Sequence, residues 1–366
     1  MKKIIYVSKD KLHLFPPCIS QIVMLCNLGC DVSVIVEECD DSAVEIIKNA
    51  GATVKILGNM NTRKGFLGRV HHWCMFAHKA ARAIKKEYSE GDIIWAANEG
   101  TAIALKRYLK NRDFVITMLE LYEYPFYVKN INSIIRKAKA VIACEKNRGR
   151  IMQQWFGLDK VPFVMPNKPY YEMPCKKTCD ISAIQEELSD KKYILYQGIL
   201  SRDRSCRTLA QALNKTKDHY TLVIIGSSPA GTEEILEELR TEYHDVFYGG
   251  FIPAPQHLQI TQNAYIGVAF YEPSSLNNMF CAPNKIFEYT KFNVPIIGND
   301  IPGLQLTVEK KGAGVCVDME NADEIAKAID KISENHAEYQ KGAERLYNSV
   351  DNLETTKDVL KEIKFL

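Results

Sequence analysis

The sequence is most informative first in what it lacks. No apolar run approaches the ~20 residues that cross a bilayer. The opening stretch, MKKIIYVSKD, holds only four consecutive apolar residues, short of the roughly 7–15 of a signal-peptide core, and reads as a first β-strand. There is no cysteine framework: the eleven cysteines are odd in number, and no second pair follows Cys175 and Cys179 in MPCKKTC. That disfavours a disulfide scaffold and a structural zinc site alike. Cys26, Cys144 and Cys316 sit in apolar contexts, as reduced, buried thiols do in a cytoplasm. No nucleic-acid motif is present, and aromatics do not alternate with basic residues as a single-strand groove requires. No Asp-x-Asp metal motif appears.

What is there is a 366-residue chain, 46% hydrophobic and 25% charged, the composition of a globular protein too long for one ordinary core. The net charge of +2 hides an asymmetry: residues 1–180 hold 28 Lys and Arg against 18 Asp and Glu, and residues 181–366 hold 19 against 27. Halves of opposite sign argue for two domains, and a basic first half suggests anionic partners.

Short β-branched runs alternate with amphipathic stretches along both halves. In the first, KIIYVS (3–8), DVSVIVE (31–37), TVKILG (53–58), DIIWAAN (92–98), DFVITML (113–119) and AVIACE (140–145) read as strands, with a long basic helix near 69–88 and another near 130–138. In the second, KYILYQG (192–198), TLVIIG (221–226), VFYGGF, NAYIGVAFY, VPIIGND (294–300) and AGVCVD (313–318) repeat the pattern. Apolar strands alternating with helices imply parallel sheets covered on both faces. The expected architecture is α/β: two Rossmann-like doubly wound domains, residues 1–170 and 191–348. A linker at 171–190 joins them, and a final helix in 349–366 packs back toward the first domain. Ligands of such sheets bind at the carboxyl ends of strands, so two facing domains imply a cleft.

One short segment concentrates the chemistry. In APNKIFEY (282–289), Pro283 suits the first position of a helix, and Asn284, Lys285 and Ile286 then present free backbone N–H groups, an anion site. A lysine is unfavourable at that positive end of the dipole unless an anion joins it. Glu288, one turn on, can accept hydrogen bonds from vicinal hydroxyls such as those of a ribose. The spacing alone also suits a surface lysine and a solvated glutamate. A second cationic cluster, Arg202, Arg204 and Arg207, follows Gly198 in YQGILSRDRSCRTL, where guanidinium forks match phosphate oxygens.

On these segments the sequence resembles a known family. QGILSRDRSCRTLAQAL, LVIIGSSP, GGFIP and APNKIFEYTKFNVPIIGNDIPG are similar, in order and spacing over residues 193–304, to the donor domain of retaining nucleotide-sugar glycosyltransferases of family 4 with the GT-B fold. The closest resemblance is to a bacterial surface-polysaccharide subgroup with a PNK[IL]FEY motif. The first half fits more loosely, through DIIWAANEGTA, LELYE and VMPNKP. The resemblance implies that Glu288 binds the donor ribose and that Arg204 binds the diphosphate. It implies that Ile252 and its neighbours clamp the base by their backbone, and that Asn284, Lys285 and Ile286, with Gly198, contact phosphate and sugar. Three positions depart from the family pattern: Phe280 stands eight residues before Glu288 where a glutamate is usual, Ile199 replaces an arginine, and Leu119 replaces a histidine.

The resemblance implies transfer of a sugar from a nucleotide sugar, UDP-linked in preference, to a glycan or lipid-linked saccharide with retention. The leaving diphosphate takes the acceptor proton, and Arg204, Lys285 and the helix dipole stabilise its charge. No cofactor and no metal are expected. On the acceptor side the candidates are Asn98, Glu99, Thr101 and Glu120, with Glu120 also a catalytic candidate or else a structural hydrogen-bonder. His71, His72 and His78 read as solvated or packed rather than as ligands. The stretch VKNINSIIRKAKA (128–140), with Lys106, Arg107, Lys110 and Arg112, suits either solvent or an anionic membrane surface, so the expected location is the cytoplasm, peripheral to the inner face of the cell membrane. Two rival readings are a catalytically silent nucleotide-binding partner subunit and a UDP-sugar 2-epimerase. The second would need a carboxylate–histidine cluster that the sequence does not display.

Overall fold

The structure is a computed structural model that describes residues 2–58, 65–172, 179–200, 205–228, 232–243 and 245–366. The chain divides into two compact units. One comprises Met1–Met173, Ser275–Asn277 and Asp351–Leu366; the other comprises Pro174–Ser274 and Asn278–Val350.

The first unit is built on a seven-stranded parallel sheet: β1 (Lys3–Lys11), β2 (Asp31–Glu38), β3 (Thr53–Ile56), β4 (Ile93–Ala96), β5 (Phe114–Met118), β6 (Ala140–Ala143) and β7 (Phe163–Val164). Their order in space is β3-β2-β1-β4-β5-β6-β7. Tyr6 of β1 lies opposite Val34 on one side and Trp95 on the other. The run IIYV explains itself by burial on both faces. Ile4 and Tyr6 enter the core shared with helices Pro16–Asn27 and Asn352–Glu362. Ile5 and Val7 enter the core under helices Gly65–Glu87, Glu99–Leu109 and Lys146–Phe156. The C-terminal helix is fixed by buried Val359 and Leu360, and Asn352 Nδ2 donates to Pro166 O at 2.8 Å.

The second unit repeats the design with β8 (Tyr193–Gln197), β9 (Thr221–Ile225), β10 (Val246–Gly250), β11 (Ile266–Ala269), β12 (Ile296–Asn299) and β13 (Gly314–Val317), in the order β10-β9-β8-β11-β12-β13. In each sheet the order reverses beside the first strand, between β1 and β4 and between β8 and β11. Crevices form at such switch points.

Three local readings differ from the structure. The helix expected near 130–138 is instead Pro125–Asn132, because Pro125 supplies a preset first-turn residue. Within the span read as linker, Ser182–Leu188 forms a helix that buries Leu188, with Ile181 buried just before it. Pro283 precedes its helix in an extended conformation (φ −75°, ψ 143°), and the helix begins at Asn284 rather than at the proline.

Candidate functional site

In the second unit the candidate site lies where β8 and β11 end. Helix Asn284–Lys291 is anchored by its apolar face: Ile286, Phe287 and Tyr289 are buried. The Tyr289 hydroxyl lies 3.0 Å from Leu195 O and 3.2 Å from Val268 O, so it ties the helix to both strands of the switch point. Three residues apart on a helix is one face, and Lys285 and Glu288 accordingly share the side facing the end of β8.

Lys285 reaches the end of β8. A Cβ on Gly198 would stand 3.3 Å from Lys285 Nζ, and Gly198 itself has φ +138°. Glycine is required there by conformation, and any side chain would also crowd the lysine. Gly226 at the end of β9 is as constrained, since its Cβ would fall 1.6 Å from Gly198 O. The Lys285 ammonium lies 5.6 Å from the centroid of the Tyr196 ring and 5.0 Å from that of Tyr271. The residue as a whole keeps some solvent exposure, but its charged end is closely surrounded. Burial lowers its pKa to about 8, with the Glu288 charge acting in the opposite sense. A cation held this way is short of compensating charge. The first-turn N–H groups beside it have no side-chain cap.

Glu288 is held rather than free. Gln197 Nε2 donates to Glu288 Oε2 at 2.6 Å, and the Thr261 hydroxyl donates to Gln197 Oε1 at 2.8 Å. His257 Nε2 lies 3.6 Å from the same carboxylate oxygen. Tyr271 is fixed through its backbone: its N–H donates to Asn299 Oδ1 at 2.9 Å, and Asn299 Nδ2 donates to its carbonyl at 2.7 Å. Gln197, His257, Thr261 and Asn299 were not singled out from sequence. Gln197 and Asn299 each end a strand of a doubly wound sheet, and a polar residue there is the signal that could have found them. Ile252 is buried in the core, so its segment can offer a ligand only backbone, next to exposed Phe251. Arg204 and Arg202 lie outside the described residues.

In the first unit the structure turns three of the four proposed acceptor contacts inward. Asn98 Oδ1 caps helix Glu99–Leu109 by accepting from Thr101 N at 2.8 Å and from the Thr101 hydroxyl at 2.9 Å. Thr101 is wholly buried, and Lys9 N donates to its oxygen at 2.8 Å. Glu99 is buried beside them, with Leu119 N donating to its carboxylate at 3.1 Å. Burial, chiefly, raises the Glu99 pKa to about 8, and the nearby Glu120 charge adds to the rise. This trio is therefore corrected from ligand contacts to a closed hydrogen-bond network between strand ends. Glu120 is half-exposed, 3.4 Å from Arg148 Nη1. The buried Arg148 also donates to Leu119 O at 2.8 Å, so an arginine not anticipated from sequence positions the segment that carries Glu120. His72 is packed against Glu37, with 2.5 Å between Nε2 and Oε1, while His71 and His78 are exposed. Among the described residues no group of three or more His, Cys, Asp or Glu is placed to hold a metal ion, and no helix is long and apolar enough to cross a membrane.

Two Rossmann-like units of parallel strands and alternating helices make this a GT-B fold, and solved structures with the same fold span the chain. HepE from Anabaena in complex with UDP-glucose superposes with a TM-score of 0.72 at 15% identity, covering 100% of both chains. A glycosyltransferase from Rickettsia africae gives 0.70 at 17% identity, over 100% of this chain and 98% of that one. A putative UDP-N-acetylglucosamine 2-epimerase from Listeria monocytogenes gives 0.61 at 13%, over 98% and 94%. Residues 191–335 match the family model described as glycosyl transferases group 1. That segment contains Gly198, Lys285 and Glu288. No curated protein sequence matches the chain.

Proposed function

We propose that the protein is a retaining glycosyltransferase. It moves a sugar from a nucleotide sugar, UDP-linked, to a glycan or lipid-linked saccharide in bacterial polysaccharide biosynthesis. The observation that carries this reading is the pairing of Lys285 and Glu288 on one helix face at the end of β8, inside a segment matching glycosyl transferases group 1. A closely surrounded ammonium beside uncapped N–H groups suits a diphosphate. A carboxylate braced by Gln197 and His257 suits the two hydroxyls of a ribose.

In this reading the bond from the sugar C1 to the diphosphate oxygen breaks as the bond from the acceptor oxygen to C1 forms on the same face. The acceptor proton passes to the departing phosphate oxygen. Lys285, with Arg204, stabilises the negative charge that develops there, as donors set in place before reaction. The reading includes independence of metal and association with an anionic membrane surface through the basic residues near 106–140. Three of those residues also serve the fold: Arg136 Nε donates to Phe156 O at 2.6 Å, Lys139 pairs with Asp113 at 3.3 Å, and Arg112 lies 3.7 Å from the Tyr108 ring centroid.

The test is calorimetric titration with UDP and GDP, followed by proton NMR of a panel of nucleotide sugars with acceptors, with and without EDTA. Expected are UDP binding, transfer with the donor's anomeric configuration kept, and no effect of EDTA. Binding without turnover would support the silent-subunit reading. A free C2-epimer would support the epimerase, which the Listeria neighbour keeps in view.

A further inference from the structure

At the carboxyl ends of β1, β2, β4 and β5 the first unit gathers aromatic rings at the margin of its core, with Trp73 and Tyr127 packed partly against it. Phe126 is 58% and Tyr124 68% exposed. Trp73 meets Phe126 edge-on with centroids 6.2 Å apart, and Phe126 meets Tyr127 edge-on at 5.6 Å. Tyr127 stacks on Tyr122 at 4.3 Å. Hydrogen-bonding groups border the rings. Lys9 Nζ lies 5.0 Å from the Trp73 ring centroid and pairs with Asp10. Asp10 N donates to Glu37 Oε2 at 3.3 Å, and Glu37 holds His72. Asp10 and Glu99 both act electrostatically on Tyr122 and Tyr127, which places the carboxyl groups beside that end of the patch. Asp10 also adopts φ +73°, a conformation uncommon outside glycine that recurs at binding sites.

We propose that this patch is a saccharide subsite, on which Trp73, Phe126 and Tyr127 stack against the C–H face of a pyranose ring while Asp10 and Glu120 accept hydrogen bonds from its hydroxyls. The proposal rests on the glycosyl-transfer reading in one respect: the ring bound is that of the acceptor. Exposed aromatic patches mark ligand or membrane contacts, and charge decides between these. The carboxylates of Asp10 and Glu120 border the rings, with Lys9, His72 and Arg148 already paired to acidic or carbonyl oxygens. An anionic headgroup would meet carboxylates there, whereas a neutral polyol gains acceptors for its hydroxyls.

The test uses the full chain and saturation-transfer NMR with cellobiose, maltose, lactose and chitobiose, alongside calorimetry with UDP. At least one disaccharide binds, and Phe126→Ala and Trp73→Ala each weaken it by about tenfold, the loss of one stacked ring, with UDP affinity unchanged. Trp73→Phe, which preserves packing, restores most of the affinity and guards against a folding defect. No binding by any disaccharide, or equal binding by the Phe126→Ala protein, overturns the proposal. So does loss of flotation with phosphatidylglycerol vesicles in Phe126→Ala without any saccharide binding, which would assign the patch to the membrane. If UDP and its sugars neither bind nor turn over, the glycosyl-transfer reading fails on its own. If UDP binds and disaccharides do not, only the subsite fails.

Discussion

The two units share a strand order around their switch points yet place opposite chemistry at their strand ends. The half with surplus basic residues gathers carboxyl groups there: Asp10, Glu37, Glu99 and Glu120. The half with surplus acidic residues brings a lysine to Gly198. The net charge of a domain thus says little about the charge of its site. Basic residues of the first half stand on helices and the turns that follow them, as Arg107, Lys110, Lys129 and Lys137 do, all exposed. What selects a ligand is the few groups that the sheet topology carries into the crevice.

The sharpest way to break the comparison is to remove the charge that defines the second unit. Lys285→Ala should lower turnover by roughly 10²-fold, the scale of a lost preorganised donor, measured as UDP release from UDP-sugars. Turnover within about twofold of the parent would show that the lysine does not serve the leaving group. The same group sets a pH dependence. With a free-state pKa of about 8, Lys285 is mainly charged at neutral pH, and a bound diphosphate raises its pKa further. Donor affinity is therefore full below about 8 and falls as pH rises through that value, a loss the Lys285→Ala protein should not show.

The next contrast concerns how each unit holds its carboxylate. Glu288 stays useful because Gln197 and His257 fix it at the crevice. Gln197→Leu removes the donor at 2.6 Å and leaves the Thr261 hydroxyl only its bond to His257 O at 3.1 Å. Donor affinity should fall by about tenfold with kcat little changed, the signature of lost ground-state binding. A fall in kcat at constant KM would instead place Glu288 in the chemistry.

Much of this was legible before any coordinates. Runs such as IIYV and YILY declare strands buried on both faces, and the 285/288 spacing declares one helix face. What was not legible depends on residues brought together across the chain. Gln197 and Glu288 are 91 positions apart, and Trp73 meets Phe126 only because the N-terminal halves of the helices Gly65–Glu87 and Pro125–Asn132 lie at the same end of the sheet. Asn98 is the instructive error. An asparagine directly before a helix is first a cap, and the Asn98 side-chain carbonyl oxygen is committed to the N–H and hydroxyl of Thr101.

A test of stability rather than of activity addresses the buried carboxyl of the first unit. Glu99 has a folded pKa of about 8 against an ordinary 4.5. Between those values the native state holds a proton that the unfolded chain has released, so its contribution to stability is complete below about 4.5 and is lost as pH rises through 8. Glu99→Gln keeps an oxygen to accept from Leu119 N and removes the titration. Its melting temperature should match the parent near pH 5 and exceed it by roughly 10 °C at pH 9, the equivalent of about 5 kcal/mol at ~1.4 kcal/mol per pH unit between 4.5 and 8. A parent that loses no more stability than Glu99→Gln between those pH values would mean that the Glu99 carboxylate is charged in the native protein. Glu99 with Glu120 would then be an open acidic site rather than the closed network that the burial of Glu99 indicates.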